Sequence, residues 1–277
     1  MDVHQIAEDL RAEHDALDAV AAPLSPEKWE APTPSPRWAV RDQIAHLTYF
    51  DRTAQVAISD PDRFARLFEE LWGAATGGNE AVDELTLGWA RSLPPEDLLA
   101  QWRAARARLN DAAAGLAEDA RVPWYGPSMS ARSFLTARLM ETWAHGQDVV
   151  AAVGAERPAT DRLEHVARLG VITRGWTYAN RGEEVPATAV RVELIAPSGR
   201  RCEWGPDDAA ERVTGDLEDF CLVVTQRRHL EDTSLVVEGA AALDWMSKAQ
   251  AFAGPPTDGP APIDGPAPSD GPAPSVG

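Results

Sequence analysis

Glu141 and His145 stand one helical turn apart in the run MSARSFLTARLMETWAHGQDVVAA, Met129 to Ala152. On a helix, residues at i and i+4 lie about 40° apart around the axis, with β-carbons roughly 6 Å apart. A carboxylate and an imidazole so placed can share one metal ion, provided another element brings a third ligand. His46, in WAVRDQIAHLTYFD, is the best third candidate.

Two predicted helices must position these groups. Ser130 is a favourable N-cap, and neither Pro nor Gly interrupts the run after it until Gly146, which predicts a long helix there. The second helix is predicted over residues 40–58, with Val40, Ile44, Leu47, Phe50 and Ile58 on one broad apolar arc. His46 falls at the edge of that arc, flanked by Asp42 and Thr53, and Asp42 at i−4 is placed to accept its second N–H.

The residues alone leave a second reading open. Leu135, Leu139, Trp143, Val149 and Val150 share one face of the long helix, while Arg138, Glu141, His145 and Asp148 share another. A solvated stripe with charge pairs at i, i+3 and i, i+4 would account for the latter four without function. Phe134 and Ala152 sit within that stripe, which suits the lining of a polar cleft better than a surface. His46 likewise could be a core-edge histidine bonded to Asp42 or Thr53. His4 and His14, on a first helix over residues 2–22 with charged neighbours, read as surface residues.

The totals narrow the class. With 277 residues, 44% hydrophobic and 25% charged, the chain is long enough for two globular domains. A net charge of −18 argues against a nucleic-acid binder. Cys202 and Cys221 are expected as reduced thiols, without a thiolate metal site. The N-terminus is charged from its second residue, and no run approaches the roughly 20 apolar residues of a span, so a cytoplasmic protein without membrane contact is expected. There is no G-x-S-x-G, P-loop or GxGxxG motif.

In chain order, further helices are predicted over residues 61–72, from Asn79 or Glu80 to Leu93, and from Pro94-Pro95-Glu96 to about Ala114. VPWYGPSMS reads as a loop. Four principal helices suggest a bundle over residues 1–154. After Gly154 a helix from Asp161 to about Tyr178 precedes strands in AVRVELIAP, SGRRCEWGP and ERVTG. A helix in DLEDFCLVVTQRRH, a strand in TSLVVEG and a helix in AALDWMSKAQAF follow, giving an α+β domain over residues 155–254. Asp-Gly-Pro-Ala-Pro repeats beginning at Asp258, Asp264 and Asp270 read as a disordered tail over residues 255–277. The basic run Arg227-Arg228-His229 follows a predicted helix, where it can simply offset the C-terminal dipole.

The stretches WAVRDQIAHL (38–47) and ETWAHGQDV (141–149), in that order, resemble the mycothiol-dependent maleylpyruvate isomerase family of the DinB-like metal-binding superfamily. The resemblance extends over residues 1–254 and implies a DinB-like four-helix bundle followed by a smaller, sterol-carrier-like α+β domain. It implies a divalent metal, usually zinc, on His46, Glu141 and His145, with open positions for water or a thiol. It also implies mycothiol as cosubstrate and a small electrophilic substrate. Thiolate addition to an activated double bond would then permit rotation before elimination, or the thioether would be kept, so isomerase and S-transferase are both expected. Relatives use an arginine from the second domain near the cleft, and either Arg227 or Arg228 is the candidate match, the run Gln226-Arg227-Arg228-His229 leaving the choice open. The closing domain is also similar to a wyosine-base-forming module, against which the acidic balance makes an RNA role improbable. The alternative function is a non-catalytic metal- or ligand-binding protein on the same bundle.

Overall fold

The computed structural model describes residues 2–263 and divides into two compact units, one ending at Pro158 and one beginning at Ala159. The first unit holds α1 (Val3–Ala21), α2 (Pro26–Trp29), α3 (Val40–Ser59), α4 (Pro61–Ala75), α5 (Asn79–Leu87), α6 (Pro95–Ala114), β1 (Arg121–Trp124), β2 (Gly126–Ser130) and α7 (Ala131–Val153). The four long helices α1, α3, α6 and α7 pack on one another as a bundle, α3 against α6 and α7, and α1 against the same two. Leu17, Ile44, Leu47, Leu98, Trp102 and Val149 are fully buried in its core. Each such side chain removed from water contributes about 1.5–3 kcal/mol.

The ends of the site-bearing helices follow from local chemistry. Ser130 accepts from Ser133 N at 3.2 Å and starts α7, and Gly154 ends it in the left-handed region at φ 65°. Ala39 has no capping side chain, so Asp42 reaches back to Ala39 N at 3.0 Å and starts α3. Gly146 lies inside α7, where glycine costs about 1 kcal/mol relative to alanine. Its reason is Arg157, whose guanidinium occupies the space a Cβ would need. Arg157 pairs with Glu13 at 2.9 Å and donates to Trp143 O at 3.1 Å, which ties the chain after α7 to the bundle.

Several local expectations change. VPWYGPSMS is not an irregular loop: β1 and β2 pair antiparallel, with an irregularity between Val122 and Trp124. Pro123 and Pro127 disguise the hairpin, yet prolines are tolerated where a strand has a free edge. The helix expected to continue to Leu93 gives way at Leu87 to a short 3-10 turn, Gly88–Ala90.

The second unit contains α8 (Leu163–Ile172), α9 (Arg174–Ala179), β3 (Val190–Ile195), β4 (Arg201–Trp204), β5 (Glu211–Asp216), α10 (Leu217–Val224), β6 (Val236–Glu238) and α11 (Ala240–Met246). Its sheet runs β4-β3-β5-β6, with β3 and β5 parallel and the outer pairings antiparallel. The helix expected over 161–178 is broken at Thr173, which leaves helical geometry at φ −88° and ψ 7° and whose hydroxyl donates to Leu169 O at 2.7 Å. Cys202 and Cys221 are free and buried, and burial pushes the Cys221 thiol well above the usual range.

Residues 255–258 are exposed yet hydrogen-bonded to this unit. Gln226 Nε2 donates to Thr257 O at 2.8 Å, Thr257 N to Gln250 Oε1 at 3.3 Å, and Arg181 pairs with Asp258 at 2.8 Å. The repeats expected to begin at Asp264 and Asp270 lie outside the described residues. No helix among the described residues is long and apolar enough to cross a membrane.

Candidate metal centre

His46 on α3 and Glu141 and His145 on α7 converge. One donor atom from each lies within 4.8 Å of the other two. Glu141 Oε2 is 3.1 Å from His145 Nε2 and 3.7 Å from His46 Nε2, and the imidazole centroids are 4.3 Å apart. The stripe Arg138, His145, Asp148 is interior, at 3%, 8% and 3% exposure, which removes the solvated-stripe alternative.

Electrostatics prepare the group for a cation. Burial, reinforced by the neighbouring His145, depresses His46 to about 4 despite Glu141. Burial alone would raise the Glu141 carboxyl, but the His145 and His46 rings beside it outweigh that effect and hold it well below the usual range. At neutral pH the centre therefore offers an ionised carboxylate and a His46 lone pair. Two imidazole nitrogens and a carboxylate oxygen are a donor set that suits zinc and related divalent ions.

The surroundings come largely from the proline-rich loop before α3. The Trp38 indole lies over both imidazoles, 5.0 Å from His46 and 5.8 Å from His145, and donates to Asp83 Oδ1 at 3.3 Å. Phe50 stands 4.5 Å from His46. Gln43 Oε1 lies 2.6 Å from His145 Nδ1, and Ser35 Oγ donates to Asp148 Oδ2 at 3.0 Å. Ser35 and Gln43 were not among the candidate residues, although Gln43 between Val40 and Leu47 is a polar residue on the apolar face of α3, a signal in itself. Asp42, expected to orient His46, instead caps α3 and takes Arg91 Nε at 3.2 Å.

His14, expected at the surface, is fully buried, because Asp51 on α3 lies 3.5 Å from its Nε2 and Trp102 meets its ring edge-on. His4 is exposed. Arg227 and Arg228 lie in the second unit just after α10. Arg227 Nη1 donates to Thr225 O at 2.8 Å, and the exposed Arg228 faces Asp219 at 3.4 Å.

Residues 10–150 match the family model of the mycothiol maleylpyruvate isomerase N-terminal domain. The chain belongs to that family. Residues 186–238 match the wyosine base formation model. Two uncharacterized proteins of Mycobacterium tuberculosis, from strains CDC 1551 and ATCC 25618, are each 46% identical over 251 residues, which is 91% of this chain and 96% of theirs. Two crystal structures of the mycothiol-dependent maleylpyruvate isomerase share the fold. A histidine-to-alanine mutant aligns at TM-score 0.55 and 18% identity over 85% of this chain and 93% of its own. The other structure aligns at 0.54 and 19% over 82% and 90%.

Proposed function

We propose that this family member is a metal-dependent enzyme that uses a low-molecular-weight thiol, mycothiol, to isomerise a small electrophile or transfer sulfur to it. The observation that carries the reading is the convergence of His46, Glu141 and His145 within 4.8 Å. A bound divalent cation, zinc by its donor set, would supply the Lewis acidity that makes a thiol a thiolate near neutral pH. The chain's own groups do the positioning. Glu141 would balance part of the cation's charge, and the Trp38 and Phe50 rings pack against His46. Arg227 or Arg228 is the proposed contact for an anionic or sugar-bearing partner. The thiol and the electrophile are small molecules, and the acidic chain has no role with nucleic acid or membrane in this reading.

One observation favours the alternative, a metal- or ligand-binding protein without turnover: under the two rings the three side chains are only 11–25% exposed. Calorimetry with mycothiol separates the two. Binding only to the metal-loaded protein, with release of a proton in buffers of different ionisation enthalpy, supports the enzyme reading. Equal affinity for metal-free and loaded protein, with no proton released, leaves the binding reading.

A further inference from the structure

Resting on the metal reading, we infer that Thr33 and Gln43 fix the tautomer of His145, leaving its Nε2 lone pair facing Glu141. The inference starts from an atom that can only accept. Trp38 O, a backbone carbonyl, lies 2.8 Å from Thr33 Oγ1, so the threonine hydroxyl proton is committed to it. Ser35 O, 3.5 Å away, also only accepts, so Thr33 Oγ1 must act as acceptor toward Gln43, whose Nε2 lies 2.9 Å away. That orients the Gln43 amide with its NH2 group to Thr33 and Oε1 to His145. Gln43 is fully buried, so water offers no substitute for either contact.

The direction then passes to the imidazole. Gln43 Oε1 is 2.6 Å from His145 Nδ1 and can only accept, so Nδ1 carries the proton. The opposite tautomer would set two lone pairs against each other at 2.6 Å, closer than the 3.1 Å between Nε2 and Glu141 Oε2. With Nδ1 protonated, the neutral ring turns the Nε2 lone pair toward Glu141 Oε2, 3.1 Å away. Two acceptors then face each other, and a cation placed among Nε2, Oε2 and His46 relieves the opposition. Asp148 Oδ2 stands 3.8 Å from Nδ1, beyond hydrogen-bond reach. Gln43 is therefore a positioning residue, and Thr33 positions it in turn.

The test reads the tautomer directly. Nitrogen-15 NMR of the histidine rings in metal-free protein, at pH 9 where a free imidazole is neutral, should show His145 with Nδ1 protonated and Nε2 bare. In Gln43→Leu and Thr33→Val the proton should move toward Nε2, whereas Thr33→Ser keeps the wild-type pattern. Metal affinity, measured by competition with a chelator, should fall about ten- to a hundred-fold in Gln43→Leu, fall less in Thr33→Val, and be restored in Thr33→Ser. If Gln43→Leu does not fold, the two threonine variants carry the test, since neither touches His145. A wild-type His145 protonated only at Nε2, or variants with unchanged tautomer and affinity, would overturn the proposal. A wild-type chain with the Nδ1 tautomer that takes up no metal would count against the metal reading and leave the relay standing.

Discussion

Arg138 Nη2 donates to Asp51 Oδ1 at 2.9 Å, and both side chains are interior, at 3% and 0% exposure. The pair lies within about one and a half turns of the centre on each helix, since Arg138 is at i−3 from Glu141 and Asp51 at i+5 from His46. It also joins α1, through His14, to the two helices that carry the donors. Burial would raise the Asp51 carboxyl, but His14 and Arg138 together hold it below its ordinary range.

Breaking this pair from one side should destabilise the bundle. Arg138→Met or Asp51→Asn leaves a buried group without its partner, at a cost of about 3–5 kcal/mol. The double variant should lose less than the sum of the singles, because neither charge is then stranded. Chemical denaturation of the three variants measures both quantities. Single variants within about 0.5 kcal/mol of wild type would show that the pair is not closed in solution.

The metal-free protein should lose stability as pH falls. His46 is held at about 4 in the folded chain against 6.5 when unfolded, so between those values the unfolded state binds the extra proton. Stability from this group is present above 6.5 and drains away as pH drops toward 4. The depressed Glu141 acts in the same direction below its ordinary 4.5. The melting temperature should therefore fall through this window, with a shallower slope in His46→Gln. A melting temperature that rises on acidification would contradict the assignment.

Trp38 should slow exchange at the centre. Its indole lies over both imidazoles, so Trp38→Ala is expected to keep the metal stoichiometry while releasing the ion to a chelator several-fold faster. Stopped-flow release traces that superimpose on wild type would remove the shielding role.

Truncation after Gly254 should weaken the second unit. The hydrogen bonds of Thr257 with Gln226 and Gln250, and the Arg181–Asp258 pair, would be lost. These are exposed contacts, so the loss should be about 1–2 kcal/mol. Thermal unfolding of the truncated chain measures it, and an unchanged transition would mean that these contacts contribute nothing.

The bundle was legible because it is written in helical period, with apolar residues recurring at three and four. Glu141 and His145 stand at i and i+4, but that spacing left a solvated stripe equally open, and only the family resemblance favoured joining His46 to the pair. What escaped was set by tertiary contact. His14 sits between Glu13 and Asp15 and looks like a surface residue, yet Glu13 is buried against Arg157 and His14 against Asp51. Thr33, Ser35 and Trp38 belong to a stretch with no period at all, folded back by the Pro32–Ala39 bridge so that they reach α3 and α7. Asp42 had two possible roles at one spacing, and the unsatisfied N–H groups at the start of α3 claimed it before His46 could.

Metal content measured by mass spectrometry on purified wild type, His46→Ala, Glu141→Ala and His145→Ala tests the central claim most directly. The account predicts about one divalent ion per chain in wild type, and its loss from each variant while circular dichroism still reports the helices. Stoichiometric metal retained in all three variants, or a wild-type chain that takes up none, would contradict it.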